Sequence, residues 1–119
     1  MFYLREIKDE KTFQKTFFAV AQDFLAKENN EAAKKAYTEI INNKYENYKE
    51  SMMGLGIVYY NLKDYDKAIY WLSEFSKAMP NENKEMVSYL RASAIYRKGS
   101  TDEAIKYFEE LANMTPASE

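Results

Sequence analysis

Residues 52–80 of this chain read MMGLGIVYYNLKDYDKAIYWLSEFSKAMP, and the fold follows from this stretch. A Leu55-Gly56 pair lies in its first half, and Ala68 follows a short polar break. Apolar residues return every three or four positions on both sides of that break, which predicts two amphipathic helices. Pro80 ends the stretch, because proline cannot continue a helix from within it.

The side-chain sizes in this stretch predict that the two helices pack as an antiparallel hairpin. Gly56 and Ala68 are small, so the helices can approach closely where they cross. Asp64 lies in the polar break and is predicted to cap the second helix. Large side chains fill the space on either side of the crossing: Leu55, Tyr59, Ile69 and Leu72.

The same landmarks recur along the chain at a nearly constant spacing. The differences are 35 for Ala33 to Ala68, 36 for Ala68 to Ala104, 35 for Ala21 to Gly56, 36 for Gly56 to Ala92 and 36 for Pro80 to Pro116. Five agreeing differences predict three hairpins. They cover about residues 14–47, 48–82 and 83–118, with residues 1–10 as an N-terminal extension.

The stretch 52–80 resembles a tetratricopeptide repeat, whose pattern is W-x2-L-G-x2-Y, then an alanine, an aromatic or apolar residue and a closing proline. Met52 replaces the tryptophan, and Leu72 stands where an aromatic residue is usual. The resemblance implies an all-α fold, an α-α superhelix (solenoid) of three helical hairpins in a single domain over residues 1–119. It also implies a right-handed curve, with the first helix of each hairpin on the concave side.

Local signals predict where the six helices begin and end. Asn30 is the expected cap of the second helix, and Asn47 with Glu50 forms a capping pair for the third. Gly99 is expected to terminate the fifth helix. The predicted helices cover about residues 11–27, 30–43, 47–61, 65–79 and 82–97, with a sixth from the Ser100–Glu103 capping box toward Pro116.

The side chains predicted to face the concave side from the first helix of each hairpin form an uncharged, mostly apolar groove for a peptide. For Phe18, Met53 and Ile57, placement in the core is the alternative interpretation. The tyrosines are better candidates, because each combines apolar area with a hydroxyl that needs a polar partner. The predicted groove residues are Phe18, Gln22, Leu25, Met53, Ile57, Tyr60, Met86, Tyr89, Ser93 and Tyr96.

The resemblance excludes one use of such repeats. Repeats that hold the acidic C-termini of heat-shock chaperones use Lys, Asn and Arg to bind carboxylates. The matching positions here are Phe18, Gln22, Gly54, Met86 and Leu90, which form no cluster of donors. Type III secretion chaperones are similar in combining three such repeats with an apolar groove.

Composition excludes several other classes of function. The chain of 119 residues has no Cys and no His, which removes thiol nucleophiles, triads that need histidine and the usual zinc ligands. A net charge of −2 provides no basic field for nucleic acid. We expect no catalytic residue, no cofactor, no metal and no membrane insertion, and the absence of an export signal favours the cytoplasm.

The leading hypothesis is therefore a non-catalytic module that binds an extended or helical apolar segment of a partner protein. The alternative is a scaffold that self-assembles through the apolar edge around Ile105, Leu111 and Ala112, or a fragment of a longer repeat protein. The first ten residues could also fill the groove. Trp71 and Tyr107 either mark a convex contact surface or lie in the seam between neighbouring helices.

Overall fold

The computed structural model describes residues 10–114, without the side chains of Leu111 and Met114, and contains six α-helices and no strand in that range. The all-α prediction is confirmed. The helices are α1 (Glu10–Ala26), α2 (Asn30–Asn42), α3 (Tyr48–Asn61), α4 (Tyr65–Ala78), α5 (Lys84–Arg97) and α6 (Thr101–Met114). The expectations for the first nine residues and for Pro116 lie outside the described residues.

The helix caps agree with the sequence at some positions and differ at others. Asp64 caps α4 by accepting a hydrogen bond from the Lys67 N–H at 3.4 Å, as predicted. The cap of α2 is Asn29, which accepts from the Ala32 N–H, so the prediction of Asn30 is wrong by one residue. Asn47 precedes α3 in the left-handed conformation, with φ of 67° and no side-chain cap bond.

The capping pair predicted at Asn47 and Glu50 therefore does not form. A capping residue normally has extended backbone, which aims its side chain at the first turn. The left-handed backbone at Asn47 turns the side chain elsewhere. Gly99, in contrast, ends α5 as predicted, with φ of 101°.

The six helices pack as three hairpins that stack in chain order. Within the described residues, α1 contacts α3 and α3 contacts α5. The second helices are farther apart: no Cα atom of α2 lies within 8 Å of a Cα atom of α4, and none of α4 lies within 8 Å of one of α6. The stack is therefore tighter on the side of the first helices. That side is the concave face of the curve.

Two glycines let α3 lie close to the helices on either side of it. A β-carbon on Gly56 would lie 2.8 Å from Leu72 Cγ and 3.3 Å from the Leu72 backbone nitrogen, both in α4. A β-carbon on Gly54 would overlap the Tyr37 ring of α2. Only a residue without a side chain fits at these two crossings.

The buried residues form two clusters that each join neighbouring hairpins. The first cluster connects α1 and α2 to Leu55 and Val58 of α3, and Trp71 packs against its edge. The second joins Leu72 and Phe75 of α4 to Val87 of α5. No hairpin buries its apolar face alone, which is the general requirement of stacked repeats.

Polar links between hairpins recur at equivalent positions. Asn61 at the end of α3 donates to Asn30 at the start of α2, with 3.2 Å between the side-chain atoms. One repeat later, Lys98 donates to Asp66 at 2.7 Å. Both links join the end of a first helix to the start of the preceding second helix, and because they are exposed each contributes only modestly to the stacking.

The third hairpin departs from the other two at one core position. Arg91 lies 36 residues after the buried Leu55, and it donates to the Tyr107 hydroxyl at 3.0 Å. Its guanidinium lies 4.8 Å from the centre of the Tyr107 ring. Tyr107 thus contacts α5 and Trp71 contacts the first core cluster, so both aromatic residues pack in seams between helices.

We predict that Gly56→Ala destabilises the fold although alanine favours helices. The gain in helix propensity is about 1 kcal/mol, but the new methyl group overpacks the crossing by about 1–3 kcal/mol. Urea denaturation should show a net loss. In a Leu72→Ala background, which removes the obstructing side chain, the same substitution should become neutral or stabilising. Equal effects in both backgrounds would show that the crossing is not tight.

Candidate peptide-binding groove

A groove of about 600 Å³ opens on the concave face between α1 and α3. Its floor includes Tyr37 of α2 and Phe75 of α4, and its far end is formed by Asn83 just before α5. All three hairpins therefore contribute to one cavity. The lining residues are Phe18, Gln22, Leu25, Ala26, Tyr37, Asn47, Glu50, Met53, Gly54, Ile57, Phe75 and Asn83.

The structure brings half of the predicted groove residues together. They occupy facing stripes on α1 and α3, where residues three or four positions apart share one face of a helix. Each apolar member is half-buried, so it retains surface that a ligand could cover. These residues are Phe18, Gln22, Leu25, Met53 and Ile57.

Tyr60 continues the α3 stripe but already has partners within the chain. Its hydroxyl accepts a hydrogen bond from Arg97 Nε at 2.8 Å. Its ring meets Tyr65 edge-on, with 5.6 Å between the ring centres. Tyr60 thus joins α3 to α5 beyond the end of the groove, and it does not line the cavity.

The four predicted residues on α5 also lie outside this cavity. Ser93 is buried, with 8% of its surface exposed. Met86, Tyr89 and Tyr96 are 52%, 54% and 62% exposed. The Tyr89 ring meets Phe108 of α6 at 6.3 Å between centres, so it lies over the third hairpin. Met86, Tyr89 and Tyr96 form a separate exposed surface on α5.

Several lining residues were not predicted from the sequence. Tyr37 was not among the predicted groove residues, but Gly54 has no side chain to cover it, so the largely buried Tyr37 ring forms part of the floor. Asn47 and Glu50 belong to the same α3 stripe as Met53 and Ile57, at spacings of three and four. That continuous spacing was the signal that could have identified them.

Two features of the site bear on its chemistry. Burial raises the pKa of the Tyr37 hydroxyl from 10.0 to about 12, so this group stays uncharged even at moderately alkaline pH. Among the described residues that line the cavity, Glu50 is the one that carries a charge. Within residues 10–114, no group of three or more carboxylates is arranged to hold a metal ion. The arrangement offers apolar contact and hydrogen bonding.

Comparison with protein families agrees with this architecture. The tetratricopeptide repeat family is matched over residues 18–82, and a second tetratricopeptide repeat model matches residues 87–118. The chain belongs to the tetratricopeptide repeat family. Tetratricopeptide repeats are protein–protein interaction modules in general, and they are generally non-catalytic.

Two further findings complete the comparison of this tetratricopeptide repeat protein. No curated protein matches the chain. In the part of the chain that the structure describes, none of the helices has the length and apolar character that crossing a membrane requires.

The raised pKa of Tyr37 predicts how stability changes at high pH. An unfolded tyrosine ionises near pH 10.0, whereas the folded Tyr37 keeps its proton until about pH 12. The stabilisation is complete below pH 10 and is lost as the pH rises through this window, by roughly 1.4 kcal/mol per unit. Tyr37→Phe removes the ionisable group, so its denaturation profile should decline less steeply between these values.

Tyr89→Phe is the matched control, because Tyr89 is 54% exposed and lies outside the buried core. It should leave the alkaline slope of the parent chain unchanged. Parallel profiles for the parent and Tyr37→Phe would contradict the prediction.

Proposed function

We propose that this chain is a non-catalytic interaction module that binds an apolar or aromatic-rich segment of a partner protein in the groove between α1 and α3. The observation that carries the proposal is a cavity between α1 and α3 whose apolar lining includes the half-buried side chains of Phe18, Leu25, Met53 and Ile57. A cavity of about 600 Å³ is within the size range of ligand pockets and accommodates a few large side chains.

The composition of the lining supports the same function. Phe18 and Ile57 offer firm apolar surface, and Met53 is unbranched and adapts to differently shaped partners. Binding would remove their remaining apolar surface from water, which is the main favourable contribution in most protein associations. Amide side chains at the rim provide hydrogen bonds to orient the bound segment.

Substituting groove residues by glutamine tests this proposal. Leu25→Gln with Met53→Gln preserves approximate size and helix propensity but makes the lining polar. We expect the amount of partner captured from a lysate of the source cells to fall about tenfold or more. Met86→Gln is the matched control, because Met86 is exposed on α5 outside the groove. Thermal melting must show that all variants remain folded.

Capture that is equal for the parent, the double variant and the control would refute the groove as the binding site. Loss of capture by the Met86→Gln control alone would place the site on the exposed surface of α5.

A second candidate function is self-assembly through the third hairpin. Ile105 is 52% exposed and Tyr96 is 62% exposed, whereas their equivalents in the second hairpin, Ile69 and Tyr60, are half-buried. Helix α5 stacks on the second hairpin, and no described helix stacks in the same way on the third. A second copy of the chain could cover this apolar surface.

Light scattering over a dilution series tests the second candidate. A self-assembling chain should show a mass that rises with concentration, and Ile105→Lys should hold it at the mass of a monomer. The charge would have to be buried in the contact, which is strongly unfavourable. Ala19→Lys is the control, because Ala19 is exposed on α1, which contacts neither helix of the third hairpin. A constant monomer mass for the parent would exclude self-assembly.

A further inference from the structure

Glu50 gives the groove an acidic position that has no ion-pair partner among residues 10–114. It lies one turn before Met53 on α3, is exposed, and lines the cavity. The neighbouring hollow at the start of α5 contains Lys84 and Glu85, whose charges offset each other. The unbalanced charge of the groove is therefore negative.

Three amide side chains surround the same cavity. Asn47 and Asn83 are 36 residues apart, and each precedes the first helix of a hairpin in the left-handed conformation, with φ of 67° and 53°. Neither side chain caps its helix. Asn83 makes only a long contact of 3.6 Å to the Met53 sulfur, and Gln22 and Asn47 have no hydrogen-bond partner for their side chains among the described residues.

We propose that the groove binds an extended segment of a partner protein in which a Lys or Arg lies beside apolar or aromatic residues. This inference rests on the proposed function and narrows it to one class of partner segment. The basic side chain pairs with Glu50, while the neighbouring apolar side chains cover Ile57 and the floor. An acidic segment is repelled at the same position.

The free amides favour an extended segment over a helical one. Each amide offers both a donor and an acceptor. The backbone N–H and C=O groups of an extended segment are available for pairing, whereas those of a helix are already bonded within the helix. Asn47 and Asn83, one repeat apart, are placed to bond the backbone of a segment that runs along the groove.

Selection from a random nine-residue peptide library displayed on phage tests the charge preference. The parent chain should enrich peptides that carry Lys or Arg among apolar residues, and Glu50→Lys should enrich Asp or Glu instead. For one selected peptide, Glu50→Gln should weaken binding about two- to fivefold at low salt, because an exposed ion pair contributes modestly. The difference should shrink as salt screens the charges. Equal frequencies of basic residues in the parent and Glu50→Gln pools would overturn the inference.

Asparagine-to-glycine variants test the extended backbone. Asn47→Gly and Asn83→Gly remove the amide while keeping a residue that accepts positive φ. Each substitution should lower the affinity of the chain for the selected peptide by about threefold or more, as expected for the loss of a hydrogen bond. Lys63→Gly is the matched control, because it also has positive φ, of 65°, and does not line the groove. Equal weakening by the control and the asparagine variants would overturn the role of the amides.

The double variant Leu25→Gln with Met53→Gln shows whether a negative result concerns this inference alone or also the proposed function. If that variant loses the selected peptides while Glu50→Gln leaves their basic preference intact, the groove binds peptides but Glu50 does not select them. If the selected peptides bind that variant as well as the parent, or if no peptide is enriched, both the groove and the inference are wrong.

Discussion

The close approach of α3 to its neighbours is the constraint on which the rest of the structure depends. Helix α3 packs against α2 of the preceding hairpin and α4 of its own hairpin, and a glycine lies at each crossing. Glycine in the interior of a helix is unfavourable by about 1 kcal/mol relative to alanine. Here that cost is offset because Leu72 and Tyr37 reach positions that any β-carbon would occupy.

The groove is a direct consequence of this packing. Since Gly54 has no side chain, the buried Tyr37 ring lies directly beneath α3 and borders the cavity. Contacts between α1 and α3 bring these two helices together, so their stripes of apolar side chains face a shared hollow. The features that stabilise the stack therefore also create the surface available for a partner.

The third hairpin keeps the spacing of the repeat but has a different core. Arg91 replaces a buried leucine, and within the described residues its Nε atom is buried without a hydrogen-bond partner. An unsatisfied buried donor is unfavourable. The exposed side chains Tyr89, Tyr96 and Ile105 lie in the same hairpin. Its packing is thus less complete than that of the first two hairpins.

The positions of the helices and their pairing could be predicted from local sequence. The cap at Asp64 and the break at Gly99 depend on neighbours within a few positions, and the recurrence of small residues every 35 or 36 positions is visible in the sequence itself. The stripe of Phe18, Leu25, Met53 and Ile57 could also be predicted, since helical spacing alone brings the members of each helix onto one face. The periodic sequence by itself determined an all-α stack of three hairpins.

The remaining features of the site were decided by tertiary structure. Tyr37 enters the floor because α3 lies close above it, and its distance in sequence from Gly54 gives no indication of that contact. Asn47 is in the left-handed conformation, so its amide borders the groove rather than capping α3, contrary to the local signal. Tyr60 pairs with Arg97 only because the next hairpin places that guanidinium beside it. Periodicity specifies which residues share a helix face, whereas contacts between hairpins determine which of those faces remain open.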